Sequence, residues 1–155
     1  MQLLSSAFTH NTSIPRIYTC DGNRLLSPPL SIAGVPEGTV SLVLMVTDPD
    51  VPRALISTGV FDHWVLFNIP PNTTEIPEGE SVGMAGQNSA GTYVYTGPCP
   101  PREYEPSEHR YIFTLYALDT MLMPSSGDTK DTVQGMMQGH VLEQTELIGT
   151  YKRVF

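Results

Sequence analysis

Three apolar segments rich in β-branched and aromatic residues most constrain what this chain can fold into. They read VSLVLMVT at Val40–Thr47, HWVLFNI at His63–Ile69 and YIFTLYAL at Tyr111–Leu118. Each is too short for an ordinary helix and ends near turn-forming residues, which is typical of buried strands. The third is apolar on both faces and is predicted to be buried on both. The sequence therefore predicts three central strands.

Shorter elements are predicted around these strands. The chain has 155 residues, of which 40% are hydrophobic and 15% charged, and this indicates one domain, residues 1–155, with a substantial core. Its 14 prolines and 13 glycines favour many short elements joined by turns. Further strands are predicted at Leu30–Ile32 and Gly91–Tyr95.

One helix is predicted near the C-terminus. Asp128 or Ser126 can cap it, and apolar residues recur at helical spacing as far as Gly149. These apolar residues are Val133, Met136, Met137, Val141, Leu142 and Leu147. The two methionines are predicted to fill the core. The last residues, YKRVF at Tyr151–Phe155, are a candidate for one more strand.

The charge of the chain argues against several classes of partner. The net charge is −8 and the pI is about 4.8, so the surface repels nucleic acid and does not attract anionic membranes. The N-terminus does not resemble a signal peptide, and no apolar run approaches the ~20 residues that span a bilayer. A cytoplasmic location without stable membrane insertion is expected. Cys20 and Cys99 are therefore predicted to be buried thiols, with a bridge left open if their loops meet.

Polar, titratable residues stand where the three central strands meet their loops. The first strand ends at the carboxylates Asp48 and Asp50, and the second begins at His63. The third begins at His109, Arg110 and Tyr111. If these strand ends converge, they form a pocket with two imidazoles, two carboxylates and a phenol.

Simpler interpretations apply to each of these residues taken alone. Asp-Pro-Asp at a strand end is commonly a turn whose side chains bind nearby backbone N–H groups. His63 next to Trp64 is commonly a core histidine. His10 and His140 have no comparable neighbours and are not assigned to a site.

The motifs taken together resemble the phosphatidylethanolamine-binding protein family, most closely its bacterial and archaeal branch of Raf kinase inhibitor-like proteins. The resemblance covers nearly the whole chain. It rests on CDG at Cys20–Gly22, SPPL at Ser27–Leu30, TDPDVP at Thr47–Pro52, HWV at His63–Val65, NIP at Asn68–Pro70, GPCPP at Gly97–Pro101 and HRYIFTLYALD at His109–Asp119.

The resemblance implies a mainly β fold in which two antiparallel sheets pack together with a few peripheral helices, one near the C-terminus. It implies a small pocket for anions such as a lipid headgroup phosphate or a phosphorylated side chain. The implied ligand-binding residues are Asp48 and His63, His109 and Tyr111 opposite them, Gly97 and Pro98 at the rim, and Asp50 in a supporting role. The bend at Val51-Pro52 is a candidate cis peptide bond. A protein partner such as a kinase, and a homodimer, are compatible with the resemblance.

Elementary chemistry explains how such a pocket binds an anion. Histidine gains charge near neutral pH and donates to phosphate from its ring nitrogens. Asp48 is predicted to fix the tautomer of a histidine and raise its pKa. The Tyr111 hydroxyl and backbone N–H groups near Gly97 offer further donors.

Three classes of function are open at this level. The first is non-catalytic binding of small phosphorylated or carboxylated ligands, which requires no cofactor. The second is a hydrolase that uses His63 or His109 as general base with Asp48 orienting it. The third is a metal protein that uses these same three side chains. The loops Arg53–Phe61 and Arg102–Glu108 depart from the family pattern, and the glutamates of the second are predicted to lie near the pocket mouth.

Overall fold

Two β-sheets, one α-helix and one short 3-10 helix, Arg16–Tyr18, make up the computed structural model, which describes residues 1–154. The larger sheet has six strands in the order β2-β9-β8-β4-β5-β7, and the smaller has three in the order β1-β3-β6. The elements are β1 (Gln2–Leu4), β2 (Thr12–Ser13), β3 (Leu30–Ala33), β4 (Ser41–Asp48), β5 (Phe61–Ile69), β6 (Glu75–Ile76), β7 (Met84–Ala85), β8 (Glu108–Leu118), α1 (Lys130–Met137) and β9 (Val141–Lys152). Strand pairing is antiparallel throughout except between β2 and β9, which run parallel. The predicted mainly β architecture is confirmed.

Strand β4 lies in the middle of the larger sheet and is buried on both faces, which explains its unbroken apolar sequence. Leu42, Leu44 and Val46 point into the core between the two sheets. Val43 and Met45 point to the opposite face, since side chains alternate along a strand. The second face is covered by the helix, whose contributions to that cluster include Val133 and Met137.

The predicted C-terminal helix is too long and has the wrong cap. Thr129, rather than Asp128 or Ser126, caps α1 through reciprocal hydrogen bonds with Thr132. The helix ends at Met137, and Gly139 then adopts a φ of +83° that a helix cannot continue through. The apolar residues beyond it belong to β9, which pairs along almost the full length of β8. Long-range pairing with β8 therefore overrides the local helical spacing.

The C-terminal segment YKRVF is only partly a strand. Tyr151 and Lys152 are the last residues of β9, and the next two residues lie outside the strand. Phe155 lies outside the described residues.

The strand predicted at Gly91–Tyr95 is absent, and the side chain of Asn88 gives the reason. Its Nδ2 donates to the Val94 carbonyl at 2.7 Å, and its Oδ1 accepts from the N–H groups of Ala90 and Thr92 at 3.0 Å. One amide side chain thus takes the backbone hydrogen bonds that a neighbouring strand would otherwise supply.

Two further expectations about the loops are wrong. Cys20 and Cys99 form a disulfide, with their Cα atoms 5.4 Å apart across 79 residues of sequence. The Cys20 N–H donates to the Pro98 carbonyl at 3.0 Å, and this contact brings the two loops together. Val51-Pro52 is trans, because the only cis peptide bond within residues 1–154 is Glu105-Pro106.

Within residues 1–154, no helix is long and apolar enough to cross a membrane.

Candidate functional site

The polar strand ends converge because β4 lies between β5 and β8 and runs antiparallel to both. The last residue of β4, Asp48, is paired with Phe61 at the start of β5. On its other side, Thr47 is paired with Ile112 near the start of β8. The C-terminal end of β4 therefore meets the beginnings of both neighbours, which carry His63 and His109.

A cavity of about 220 Å³ opens at this end of the larger sheet. Of the predicted ligand-binding residues, Asp48, His63, Gly97 and His109 line it. The remaining wall is formed by Arg24, Val51, Leu55, Ile56, Phe61, Thr96, Cys99, Pro100 and Pro101. Three predicted residues lie outside its lining: Asp50, Pro98 and Tyr111.

Asp48 holds His109 in a fixed orientation. Its Oδ2 lies 2.7 Å from Nδ1 of His109, and its Oδ1 accepts the N–H of Asp50 at 2.8 Å. Burial acts to lower the pKa of His109, but the hydrogen bond and the charge of Asp48 outweigh it, so that the pKa is raised. A carboxylate accepts only, so His109 Nδ1 carries a proton and Nε2 gains a second one when the ring is charged. Nε2 is buried and makes no hydrogen bond of good geometry within residues 1–154, although the Pro106 carbonyl lies near the ring and also raises its pKa.

His63 sits at an irregularity in the sheet. The pairing of β4 with β5 passes from Val46–Trp64 to Thr47–Asp62, so His63 is the extra residue of a β-bulge, a feature that commonly redirects a side chain beside a site. Its Nδ1 lies 2.6 Å from the Thr96 carbonyl.

The bond to a carbonyl decides which nitrogen of His63 carries the proton. Because a carbonyl only accepts, Nδ1 donates, and the neutral ring keeps an acceptor lone pair on Nε2. Burial lowers the pKa of His63 to about 4, against the opposing effects of the Thr96 carbonyl and the Asp48 charge. The two histidines are therefore different near neutral pH, since His63 is a neutral acceptor and His109 is held closer to its charged donor form.

Tyr111 lies between the two imidazoles, beneath the cavity rather than in its wall. Its ring meets His63 edge to face at 5.2 Å between centroids and stacks on His109 at 6.5 Å. Burial first, and then the charge of Asp48, raise the pKa of its hydroxyl, which stays protonated. The hydroxyl is buried and makes no hydrogen bond of good geometry among the described residues, although Asp48 is close enough to interact with it and to raise its pKa.

Asp50 is engaged by Arg110 instead of facing the cavity. The guanidinium donates to both carboxylate oxygens, from Nε at 2.9 Å and from Nη2 at 2.8 Å, and the Arg110 N–H adds a third bond at 2.9 Å. These bonds hold the pKa of Asp50 below its usual range. The second carboxylate of the DPD motif thus ties the turn after β4 to the start of β8.

Gly97, which lines the cavity, and its neighbour Pro98, which does not, belong to a segment that is fixed to the loop of the CDG motif. A Cβ on Gly97 would collide with the Tyr18 carbonyl, so no larger residue fits there. The Gly97 N–H, expected to be a donor to the ligand, is already bound to the Arg24 carbonyl at 2.7 Å. Pro98 accepts from the Cys20 N–H. Together with the disulfide, these bonds join two distant loops into one wall.

Sequence reasoning missed two features of the cavity. The first is Arg24, a cationic side chain two residues after the CDG motif. The second is an apolar rim made by Leu55 and Ile56 from the loop that follows β4 and by Phe61 at the start of β5. A signal for the rim was present in the apolar residues of that loop, whereas Arg24 carries no local signal because its position depends on the contact between the two loops.

Within residues 1–154, the loop glutamates and the predicted metal ligands are not arranged as the sequence suggested. Glu103, Glu105 and Glu108 are not part of the cavity wall. No group of three His, Cys, Asp or Glu side chains within residues 1–154 is arranged to hold a metal ion. The Nδ1 atoms of both histidines are already hydrogen-bonded.

Comparison with known proteins agrees with this architecture. The sequence profile described as "Phosphatidylethanolamine-binding protein" matches residues 4–152. A UPF0098 protein of Chlamydia pneumoniae is 44% identical over 154 residues, with 99% of each chain covered. A UPF0098 protein of Methanothermobacter thermautotrophicus is 44% identical over 163 residues, again with 99% of each chain covered.

Two solved structures share the fold. A phosphatidylethanolamine-binding protein homologue from Chlamydia trachomatis has a TM-score of 0.92 at 41% identity, covering 98% of this chain and 97% of that one. Escherichia coli YbcL, described as a member of the mammalian PEBP family, has a TM-score of 0.84 at 27% identity, covering 98% of each chain. Because profile, relatives and folds agree over nearly the full length, this chain belongs to the phosphatidylethanolamine-binding protein family.

Proposed function

We propose that the protein binds small phosphorylated anions in the cavity at the end of β4, without catalysing their conversion. Membership of a family named for ligand binding supports the general activity. The observation that carries the proposal is the buried Nε2 of His109, which makes no hydrogen bond of good geometry within residues 1–154, because Asp48 favours the charged ring whose Nε2–H can donate.

The carboxylate in this cavity is compatible with an anionic ligand. Both oxygens of Asp48 are already hydrogen-bonded, one to the Asp50 N–H and the other to His109. Its negative charge is therefore balanced by the imidazolium that it stabilises. The net charge of −8 acts over longer distances and mainly slows the encounter with an anion.

The two histidines suit a phosphoryl group in particular. Phosphate monoesters have a second pKa of about 6, so protonated and unprotonated oxygens coexist near neutral pH. His109 offers a donor to an unprotonated oxygen. Nε2 of His63 offers an acceptor to a protonated one, or takes up the proton itself when the anion arrives. A carboxylate ligand is ionised at pH 7 and has no protonated oxygen that could donate to His63.

The cavity offers little support for covalent catalysis. Cys99 is the cysteine of the wall, and its sulfur is held in the disulfide with Cys20, so it is not a free thiol. Thr96 already accepts from Arg24 through its hydroxyl. We propose instead that the protein acts by holding its ligand in the cavity. By binding a phosphorylated side chain of a partner such as a kinase, it regulates that partner.

The proposal is tested by titrating the protein with inorganic phosphate and with phosphoethanolamine while the NMR signals of all four histidines are followed. His63 and His109 are expected to shift and saturate, and His10 and His140 are expected to stay unchanged. His109→Gln should abolish the response. His140→Gln is the matched control, because His140 also bonds a carboxylate, Asp119, but does so at the exposed surface.

Three results would overturn the proposal. No histidine response at millimolar ligand would show that the cavity does not bind anions. Turnover on a panel of phosphoesters that disappears in His109→Gln would make the protein a hydrolase. Stoichiometric metal in protein prepared without chelators, lost in His63→Gln and in His109→Gln but kept in His140→Gln, would assign the cavity to a metal.

A further inference from the structure

Among the described residues, Arg24 is the one arginine or lysine that lines the cavity, and its guanidinium makes few contacts. Its Nη2 donates to the Thr96 hydroxyl at 3.3 Å, which is long for such a bond. No carboxylate within residues 1–154 forms a salt bridge with it. A guanidinium carries five N–H donors, so most of its donor capacity is available to a ligand.

Arg24 differs in this respect from other cations near the strand ends. Arg110 is bound by Asp50, and Arg153 is bound by Asp21 through three hydrogen bonds. Lys130 is paired with Asp62. These charges serve to fasten one segment of the chain to another.

The backbone of Arg24 is held firmly while its side chain lies at an exposed position. Its carbonyl accepts the Gly97 N–H at 2.7 Å, and the disulfide fixes Cys20 four residues earlier. Thr96 places the guanidinium close to His63, because the carbonyl of the same threonine receives the His63 Nδ1–H. The fork of Arg24 and the two imidazoles therefore border one small space.

We infer that Arg24 makes the cavity selective for phosphomonoesters over phosphodiesters, by binding two terminal oxygens of the phosphoryl group with its planar fork. This inference rests on the proposed function. Arginine binds phosphate through two parallel N–H···O bonds. The histidines need at least one more oxygen. A monoester has three terminal oxygens and satisfies both sets of groups, whereas a diester has two and carries a single charge.

The test uses two ligands that share a headgroup. Phosphoethanolamine is a monoester and glycerophosphoethanolamine is the corresponding diester, and their dissociation constants at pH 7 are measured by calorimetry. We expect the wild type to prefer the monoester by about tenfold or more, since the second charge and the second N–H···O bond are lost in the diester. Arg24→Gln should weaken monoester binding by about tenfold and diester binding by no more than about threefold.

Two more variants separate the geometry of Arg24 from its charge. Arg24→Lys keeps the charge but loses the planar fork, so its preference for the monoester should fall between those of the wild type and Arg24→Gln. Arg53→Gln is the control for net charge. Arg53 lies on the loop after β4 but not in the cavity wall, and its loss should leave the preference unchanged.

The outcomes for this inference and for the proposed function are distinct. If Arg24→Gln and Arg24→Lys keep the wild-type preference, or if the wild type prefers the diester, the role of Arg24 is overturned. The proposed function then still stands, provided that His109→Gln abolishes binding. If the wild type binds neither ligand, both fail. Thermal unfolding shows whether each variant is folded. If Arg24→Gln does not fold, the ligand preference of Arg24→Lys alone tests the role of Arg24.

Discussion

Asp48 and His109 form a buried ion pair across β4 and β8, with 2.7 Å between Oδ2 and Nδ1 and with side chains that are 4% and 1% exposed, respectively. The pair joins residues that are 61 positions apart in the chain. It gives the first carboxylate of the DPD motif a role that differs from that of the second.

Replacing Asp48 with asparagine should lower the pKa of His109 and weaken anion binding at pH 7. The amide oxygen can still accept from Nδ1, but the negative charge that favours the imidazolium is lost. Removing one charge of a buried pair should also lower the free energy of unfolding by about 3 kcal/mol. NMR titration of His109, calorimetry with phosphate and urea unfolding measure the three effects.

The matched control for Asp48→Asn is Asp119→Asn, which breaks the exposed pair with His140. Exposed pairs contribute about 0–1 kcal/mol, so this variant should keep wild-type affinity and nearly wild-type stability. An unchanged His109 pKa in Asp48→Asn would contradict the assigned role of the carboxylate.

His63 should make the protein less stable in acid. Its pKa is about 4 in the folded protein and near 6.5 when it is unperturbed, so between these values the unfolded chain binds more protons. The stability that His63 contributes is present above pH 6.5 and is lost as the pH falls to 4, by about 3 kcal/mol. Urea unfolding of wild type and His63→Gln at pH 7.5 and pH 4 measures this difference.

The pH effect of His109 has the opposite sign and must be separated from that of His63. A raised folded pKa contributes stability that is present in acid and lost as the pH rises through that pKa. The comparison with His63→Gln cancels this effect, since both proteins contain His109. An equal loss of stability in both proteins would show that His63 is not held neutral.

Asp50 should matter for the turn and not for the ligand. Asp50→Asn removes the charge that Arg110 binds, yet neither residue lines the cavity. Phosphate affinity should therefore stay within about twofold of the wild type, whereas a double-mutant cycle with Arg110→Gln should give a coupling of about 1 kcal/mol. A tenfold loss of affinity in Asp50→Asn would place Asp50 in direct contact with the ligand.

The disulfide should stabilise both the fold and the cavity wall. Cys20 and Cys99 close a loop of 79 residues, and replacing both with serine should lower the free energy of unfolding by about 4 kcal/mol. Phosphate affinity should fall as well, because Cys99 lines the cavity and the bridge fixes the segment that carries Arg24. Calorimetry compares the double serine variant with wild type in the presence and absence of a reducing agent.

The reduced wild type serves as the chemical control for that variant. It should match the double serine variant in stability and in affinity, since both lack the bridge. If reduced and oxidised wild type bind phosphate equally well, the bridge serves the fold alone.

Local sequence determined the central strands and the residues at their ends. An unbroken apolar run of strand length, bounded by turn-forming residues, can be read from the chain, because both signals are properties of neighbouring residues. Val40–Thr47, His63–Ile69 and Tyr111–Leu118 were found in this way, within two or three residues of the observed bounds. The polar residues at the ends of β4, β5 and β8 were found by the same reasoning, together with the resemblance to the family.

Tertiary structure decided everything that depends on contacts between distant segments. The residues beyond Met137 have helical spacing but form β9, because all eleven residues of β8 pair with them, and a helix would leave that edge of β8 without hydrogen-bond partners. The Cys20–Cys99 bridge and the place of Arg24 both follow from the contact of two loops that no local pattern reveals. The different roles of Asp48 and Asp50 also depend on such contacts. Both residues belong to one turn, but their partners, His109 and Arg110, come from another strand.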